Sequence, residues 1–329
     1  MVTVETVRGP VDVTELGMTL MHEHVVNVNA EINRDQPGMS IAGNRAAIKA
    51  DVIAELRRIV AAGITTFVDV TAVGHGRDVE FVQEVNAEVD IHIIAATGLY
   101  TYSDLPKMFH FRPPTEAKPR DAMTELFVRD IRDGIAGTGI KAAIIKVATD
   151  RQGVTPGIER ALRAAAVAHR ETGVPLTTHT VVAERNGLDQ QRIFAEEGVD
   201  LSRVIIGHSG DSLDLCYLRE IMDQGSLIGA DRFGLYLPGR LNLAERVGIV
   251  ADLCELGYSD RIVLAHDKTI YSDWWEPGEG PAIGLDQWVH THISSDVLPA
   301  LRKRGVTEEQ IQQMMVGNPR RVFSTQGSY

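Results

Sequence analysis

The feature that most constrains the fold is an alternation running through the chain: short runs rich in apolar and β-branched residues, each followed by a longer helix-like stretch. Eight such runs occur, at 19–24, 64–70, 91–98, 143–147, 175–180, 204–208, 227–231 and 262–266, with the length and composition of buried strands. Helical segments are expected at 46–61, 122–134, 158–171, 188–197, 213–223 and 243–256. Several close on glycine, at Gly63, Gly173, Gly198 and Gly257, where a left-handed residue ends a helix cheaply.

Such an alternation builds a parallel sheet, either open and doubly wound or closed into a (β/α)8 TIM barrel. The polar residues choose between them. Metal-binding residue types fall at the carboxyl ends of the first, fourth, fifth, sixth and eighth predicted strands, and only a closed barrel gathers those ends around one point. No linker or charge block divides the alternation, so a single barrel domain over 1–329 is expected.

A net charge of -12 with no basic stripe sets the chain against a phosphate backbone and argues against a nucleic-acid partner. The first ten residues carry Glu5 and no apolar leader, and no apolar run is long enough to span a membrane, so a cytoplasmic protein with no membrane partner is expected. Cys216 and Cys254 form no CxxC pair and read as small buried hydrophobes in a reducing compartment.

In Met21-His22-Glu23-His24 the two imidazoles are two apart on a strand, so both face one side and Glu23 the other. An HxH alone is weak evidence. His290-Thr291-His292 is a control within the chain: it precedes a helix expected near Ser294 and reads as structural or solvent-facing. His179 and His208 end their strands and Asp267 follows another, each a ligand type at the end of an apolar run. Four histidines and a carboxylate at matching ends favour a metal centre over isolated hydrogen-bonded side chains.

Lys146, in Ala142-Ala-Ile-Ile-Lys-Val, is the odd member. An ammonium there either binds an anion or, if CO2 has condensed on the amine, becomes a carbamate with two oxygens to bridge two cations.

With these residues the sequence resembles the phosphotriesterase family of the amidohydrolase superfamily, and within it the phosphotriesterase-like lactonases. Further matching motifs are Gly98-Leu-Tyr-Thr-Tyr, Thr177-Thr-His-Thr, Gly207-His-Ser-Gly-Asp, Asp231-Arg-Phe-Gly and Gly317-Asn-Pro-Arg-Arg-Val-Phe. The resemblance implies a binuclear centre at the C-terminal ends of the strands: His22, His24 and Asp267 on the more buried ion, His179 and His208 on the other. Carboxylated Lys146 and a hydroxide are implied to bridge them. It also implies a homodimer. Zinc heads the candidate metals, with cobalt, manganese and iron suited to the same ligands.

Tyr100 and Arg232 match positions that line the site in the lactonase branch, which implies catalytic roles beside Asp267. Phe233, Leu235, Tyr236 and Leu237, with Trp274 and Trp275 in a long loop rich in Gly and Pro, are expected to wall a channel for an acyl chain. The expected activity is opening of N-acyl homoserine lactones or other γ/δ-lactones; a phosphotriesterase or other esterase is the alternative, and a non-catalytic binding barrel the third reading. Two features depart from the pattern: Lys268-Thr-Ile-Tyr stands where relatives carry a cysteine pair, and His75 and His92 are unusual and read as local hydrogen-bonded residues.

Overall fold

All eight expected strands form, and they run parallel in one curled sheet. The computed structural model describes residues 2–275, 285–324 and 327–329. An antiparallel hairpin, β1 (Thr3–Thr6) and β2 (Gly9–Asp12), precedes the sheet. The sheet strands follow as β3 (Thr19–Asn27), β4 (Thr66–Asp69), β5 (His92–Gly98), β6 (Ile144–Ala148), β7 (Leu176–His179), β8 (Val204–Ile206), β9 (Leu227–Ala230), β10 (Ile262–Leu264) and β11 (Thr269–Ser272). Their order is β10-β9-β8-β7-β6-β5-β4-β3-β11.

The sheet closes because the last expected strand continues as a second, offset piece. β11 pairs with β3, Thr269 opposite His24. The junction is tied by Asp267 N–H to the His22 carbonyl at 3.1 Å and His24 N–H to the Lys268 carbonyl at 3.0 Å. Nothing in the local sequence between Leu264 and Thr269 marked this break.

Alternation along the strands divides the apolar residues into two cores. Val68, Ile94, Ile144, Ile205, Leu227 and Val263 point inward, while Phe67, Ile93, Ile145, Ile206, Ile228 and Leu264 pack outward under the helices. Val4 and Leu16 from the N-terminal segment, with Val322 and Phe323 near the other end of the chain, extend the inner core. Below the polar end the barrel interior is therefore packed side chains.

The helices carry local signals. Pro156–Thr172 opens with Thr155 capping Ile158 N–H and Pro156 in the first turn, and it closes on Gly173 at φ 76°. Gly63, Gly198 and Gly257 are likewise left-handed. Val79–Asn86, between β4 and β5, is a helix outside the expected set. Among the described residues no helix is long and apolar enough to cross a membrane. Both cysteines are free, but Cys216 is exposed and only Cys254 is buried, which corrects the expectation for Cys216. It stands on Leu215–Asp223, a helix with one face to solvent.

Candidate metal centre

A bulge in β3 sets the first two ligand positions. Leu20 is opposite Phe67 and Glu23 opposite Asp69, three residues against two, so β3 carries one extra residue. Leu20 joins the outer core and Met21 the inner one. The extra residue lets His22 follow Met21 to the inside, turns Glu23 outward and returns His24 inward. Lys146, two residues beyond inward Ile144, inherits the same face. Gly98 lies opposite Lys146 on β5 with φ 117°, and a Cβ there would run into the Lys146 carbonyl.

His208 and Asp267 are reached differently. Both follow the ends of their strands in left-handed backbone, φ 63° and 54°. For non-glycine residues that conformation persists only where its surroundings hold it.

The six expected ligand side chains converge. Lys146 Nζ is 2.7 Å from His22 Nε2 and 3.3 Å from the Thr178 carbonyl. His24 Nε2 lies 3.3 Å and His22 Nε2 3.6 Å from Asp267 Oδ1. His208 Nε2 is 3.7 Å from Asp267 Oδ2 and 3.1 Å from His179 Nδ1. Atoms of His22, His208 and Asp267 lie within 4.8 Å of one another, close enough to share an ion.

Groups behind the imidazoles choose their tautomers. Thr71 donates its hydroxyl to Asp69, 2.5 Å away, so it accepts from His24 Nδ1 at 2.8 Å. His208 Nδ1 donates to Asp231 at 2.9 Å, and His179 Nε2 to Asp150 at 3.0 Å. The nitrogens that remain, His24 Nε2, His208 Nε2 and His179 Nδ1, turn lone pairs inward. Burial keeps both of the latter rings neutral, pushing His179 down to about 4 and His208 well below its usual value. His22 Nδ1 stands 3.1 Å from Asp231 Oδ2 but is not aligned for a hydrogen bond.

Asp69, Thr71, Asp150 and Asp231 were not identified as site residues from the sequence. Asp69 and Asp231, each a lone carboxylate at the end of an apolar strand, carried the same signal as the ligands.

Asp267 is also bound from outside by Arg232, whose Nε is 2.9 Å from Oδ2. Burial works against the Asp267 carboxylate, but the adjacent Arg232 guanidinium opposes it, and its pKa is held well below the ordinary range. Tyr100 bonds Tyr102, hydroxyl to hydroxyl, at 2.6 Å, and burial raises its pKa well above the usual phenol.

His75 is not the locally hydrogen-bonded residue expected. It is buried, its Nδ1 has no hydrogen-bond partner, and its ring stacks on Tyr100 at 3.9 Å and lies 5.4 Å from Trp274. The half-buried His92, at the start of β5, is remote from these strand ends and its Nδ1 is also unpartnered.

The expected channel is assembled only in part. Trp274 reaches the centre through His75, and Trp275 is about half exposed. Leu235 and Leu237 are partly exposed, and Tyr236 turns its hydroxyl to His292 at 2.8 Å. Phe233 is 1% exposed and packs in the outer core, so it offers no surface to a channel. Pro277, Gly278, Gly280 and Pro281 lie outside the described residues. His290 and His292 are structural but buried, not solvent-facing: His290 pairs with Glu55 at 2.8 Å and His292 with Asp296 at 2.9 Å.

An α/β barrel with inward imidazoles and carboxylates at the C-terminal ends of its strands defines a class of hydrolases built around metal ions. The chain belongs to the phosphotriesterase family, whose match runs over residues 2–323. It is 49% identical over 325 residues to the phosphotriesterase homology protein of Mycobacterium tuberculosis, covering 98% of each chain. It is 37% identical to an aryldialkylphosphatase of Saccharolobus solfataricus, covering 96% of this chain and 98% of the relative. The solved structure of the phosphotriesterase from Mycobacterium tuberculosis superposes with a TM-score of 0.94 at 49% identity, covering 99% of this chain and all of the other.

Proposed function

We propose that this hydrolase is a binuclear metal-dependent lactonase that also accepts phosphotriesters. The observation that carries the metal half is the pair of lone pairs that His179 Nδ1 and His208 Nε2 turn on each other at 3.1 Å. Two neutral imidazoles cannot hydrogen-bond in that arrangement, whereas one cation takes both. The donor set fits: His22, His24 and Asp267 would hold one ion, and His179 and His208 the second.

Lys146 would span them as a carbamate. Burial pushes it down to about 7, which leaves free amine available at neutral pH. The amine adds to CO2 and loses one proton, giving an anionic group with two oxygens. Zinc suits these ligands, as do cobalt, manganese and iron. When bound, the ions supply Lewis acidity and can bring the pKa of water down to ~7.

The chain's own groups then divide the work. Asp267, ionised and held by Arg232, orients the attacking water and accepts its proton at a carboxylate oxygen. It returns that proton to the departing ring oxygen, and the product is the hydroxy acid. The Tyr100 hydroxyl, kept protonated by burial, donates a hydrogen bond at the mouth of the site. Trp274, His75 and Tyr100 present an aromatic wall for the acyl portion.

Tyr100 and Arg232 beside Asp267 support the lactone preference, through the lactonase branch. The aryldialkylphosphatase relative supports the second reading, a phosphotriesterase as the main activity. Metal-loaded protein should be assayed on γ- and δ-lactones of graded chain length beside an aryl phosphotriester. Higher kcat/KM on lactones is expected, and the reverse order would overturn the preference. In 18O-labelled water the label should enter the product carboxylate, since attack is at the acyl carbon; label only in the alcohol would contradict that attack.

A further inference from the structure

Glu23 sits between two inward histidines yet faces away from them, fully buried behind the centre. Its Oε1 accepts from His266 N–H at 2.8 Å and from His266 Nδ1 at 2.7 Å, and its Oε2 accepts from Lys268 N–H at 3.1 Å. These two residues flank Asp267. Ile293 N–H donates to His266 Nε2 at 3.1 Å, so the ring proton is on Nδ1 and points at Glu23.

We propose that Glu23 is the positioning residue of Asp267. One carboxylate grips the backbone on both sides of a non-glycine residue in left-handed conformation, at the junction where β10 gives way to β11. Asp267 N–H adds a third tie, to the His22 carbonyl. A left-handed Asp267 relaxes unless its neighbours are pinned, and relaxation would swing its carboxylate away from His22, His24 and His208. The bulge in β3 explains how one strand serves both purposes: it turns His22 and His24 to the ions and Glu23 to the turn that presents their fellow ligand.

Only an acceptor-only group meets three converging N–H donors without conflict. Glutamine would turn an amide N–H toward one of them, and aspartate is a methylene too short to hold both sides.

The inference rests on Asp267 being a ligand, and the experiment separates the two ideas. Glu23→Gln and Glu23→Asp are compared with the parent in two measurements. The first is hydrogen exchange of the peptide spanning 264–270 in metal-free protein. The second is cobalt affinity, by chelator competition, with the visible spectrum of the cobalt-loaded protein. Faster exchange in both variants, a ~10- to 100-fold loss of cobalt affinity and an altered spectrum are expected. Asp130→Asn is the control: it alters a carboxylate bonded to Arg77 and Thr97 and should lower Tm while leaving the spectrum unchanged.

If the Glu23 variants do not fold, His266→Phe removes one of the three donors and should shift the spectrum in the same sense. Parent-like exchange and spectrum in the folded variants, or in His266→Phe when neither folds, would overturn the proposal. Asp267→Asn tests the underlying reading: full cobalt affinity there would remove Asp267 from the ligand set, while the exchange data would still report whether Glu23 holds the turn.

Discussion

Arg232 lies against Asp267, Nε to Oδ2 2.9 Å, and is itself held by Asp211 at 3.3 Å, with Arg246 ion-paired to the other Asp211 oxygen. A guanidinium on a proposed metal ligand holds one carboxylate oxygen and leaves the other for the ion and for water. Arg232→Met should lower kcat ~10- to 100-fold while metal content stays near two per chain. Removing the cation makes the carboxylate harder to ionise, so the acid limb of the kcat/KM profile should move to higher pH. An unmoved limb with full activity would reduce Arg232 to packing.

Lys146 is 1% exposed, with its Nζ against His22. Lys146→Ala should abolish most activity, and a small carboxylate such as formate or acetate should restore part of it by spanning the ions in place of the carbamate. Electron density in metal-loaded crystals should show the added carboxyl group at the lysine tip. A bare amine there would contradict the bridging role.

Trp274 reaches the centre by stacking on His75, whereas Trp275 makes no ring stack or side-chain hydrogen bond among the described residues. Trp274→Ala should therefore change the preference for acyl-chain length more than Trp275→Ala, with metal content near normal in both. Comparing kcat/KM for short and long lactones measures this, and equal losses on all chain lengths would assign the tryptophan to loop packing.

His169 lies far from the centre in a buried chain of bonds. Its Nδ1 donates to the Val174 carbonyl at 2.7 Å, and its Nε2 accepts from the Tyr329 hydroxyl at 2.6 Å. Burial pushes its pKa down to about 4, against ~6.5 in the unfolded chain. The unfolded state thus binds a proton first, and the stabilisation present above pH ~6.5 is lost as pH falls toward the folded value, by at most on the order of 3 kcal/mol. His169→Gln should flatten this part of the stability curve. Urea midpoints of parent and variant between pH 4 and pH 8 measure the difference, and parallel curves would exclude His169 as its source.

The sequence by itself determined the eight strands, the glycine-closed helices and the residue types at the strand ends, because strand period and helix stops are local properties. His22, His24, Lys146, His179, His208 and Asp267 were legible for that reason: each is a polar anomaly at the end of an apolar run. Only the tertiary structure decided what those residues meet. The extra residue in β3, the split of the last strand into β10 and β11, and the left-handed turns at His208 and Asp267 depend on closing the barrel. Phe233 was read as a channel residue from its place after a strand, but it lies buried in the outer core, against residues distant in sequence. Glu23 and His266 are 243 positions apart, and Asp231 lies similarly far from His22; no local pattern encodes such pairs. The Glu23–His266 pair forms because closure brings the first and last strands edge to edge, where buried N–H groups must find acceptors.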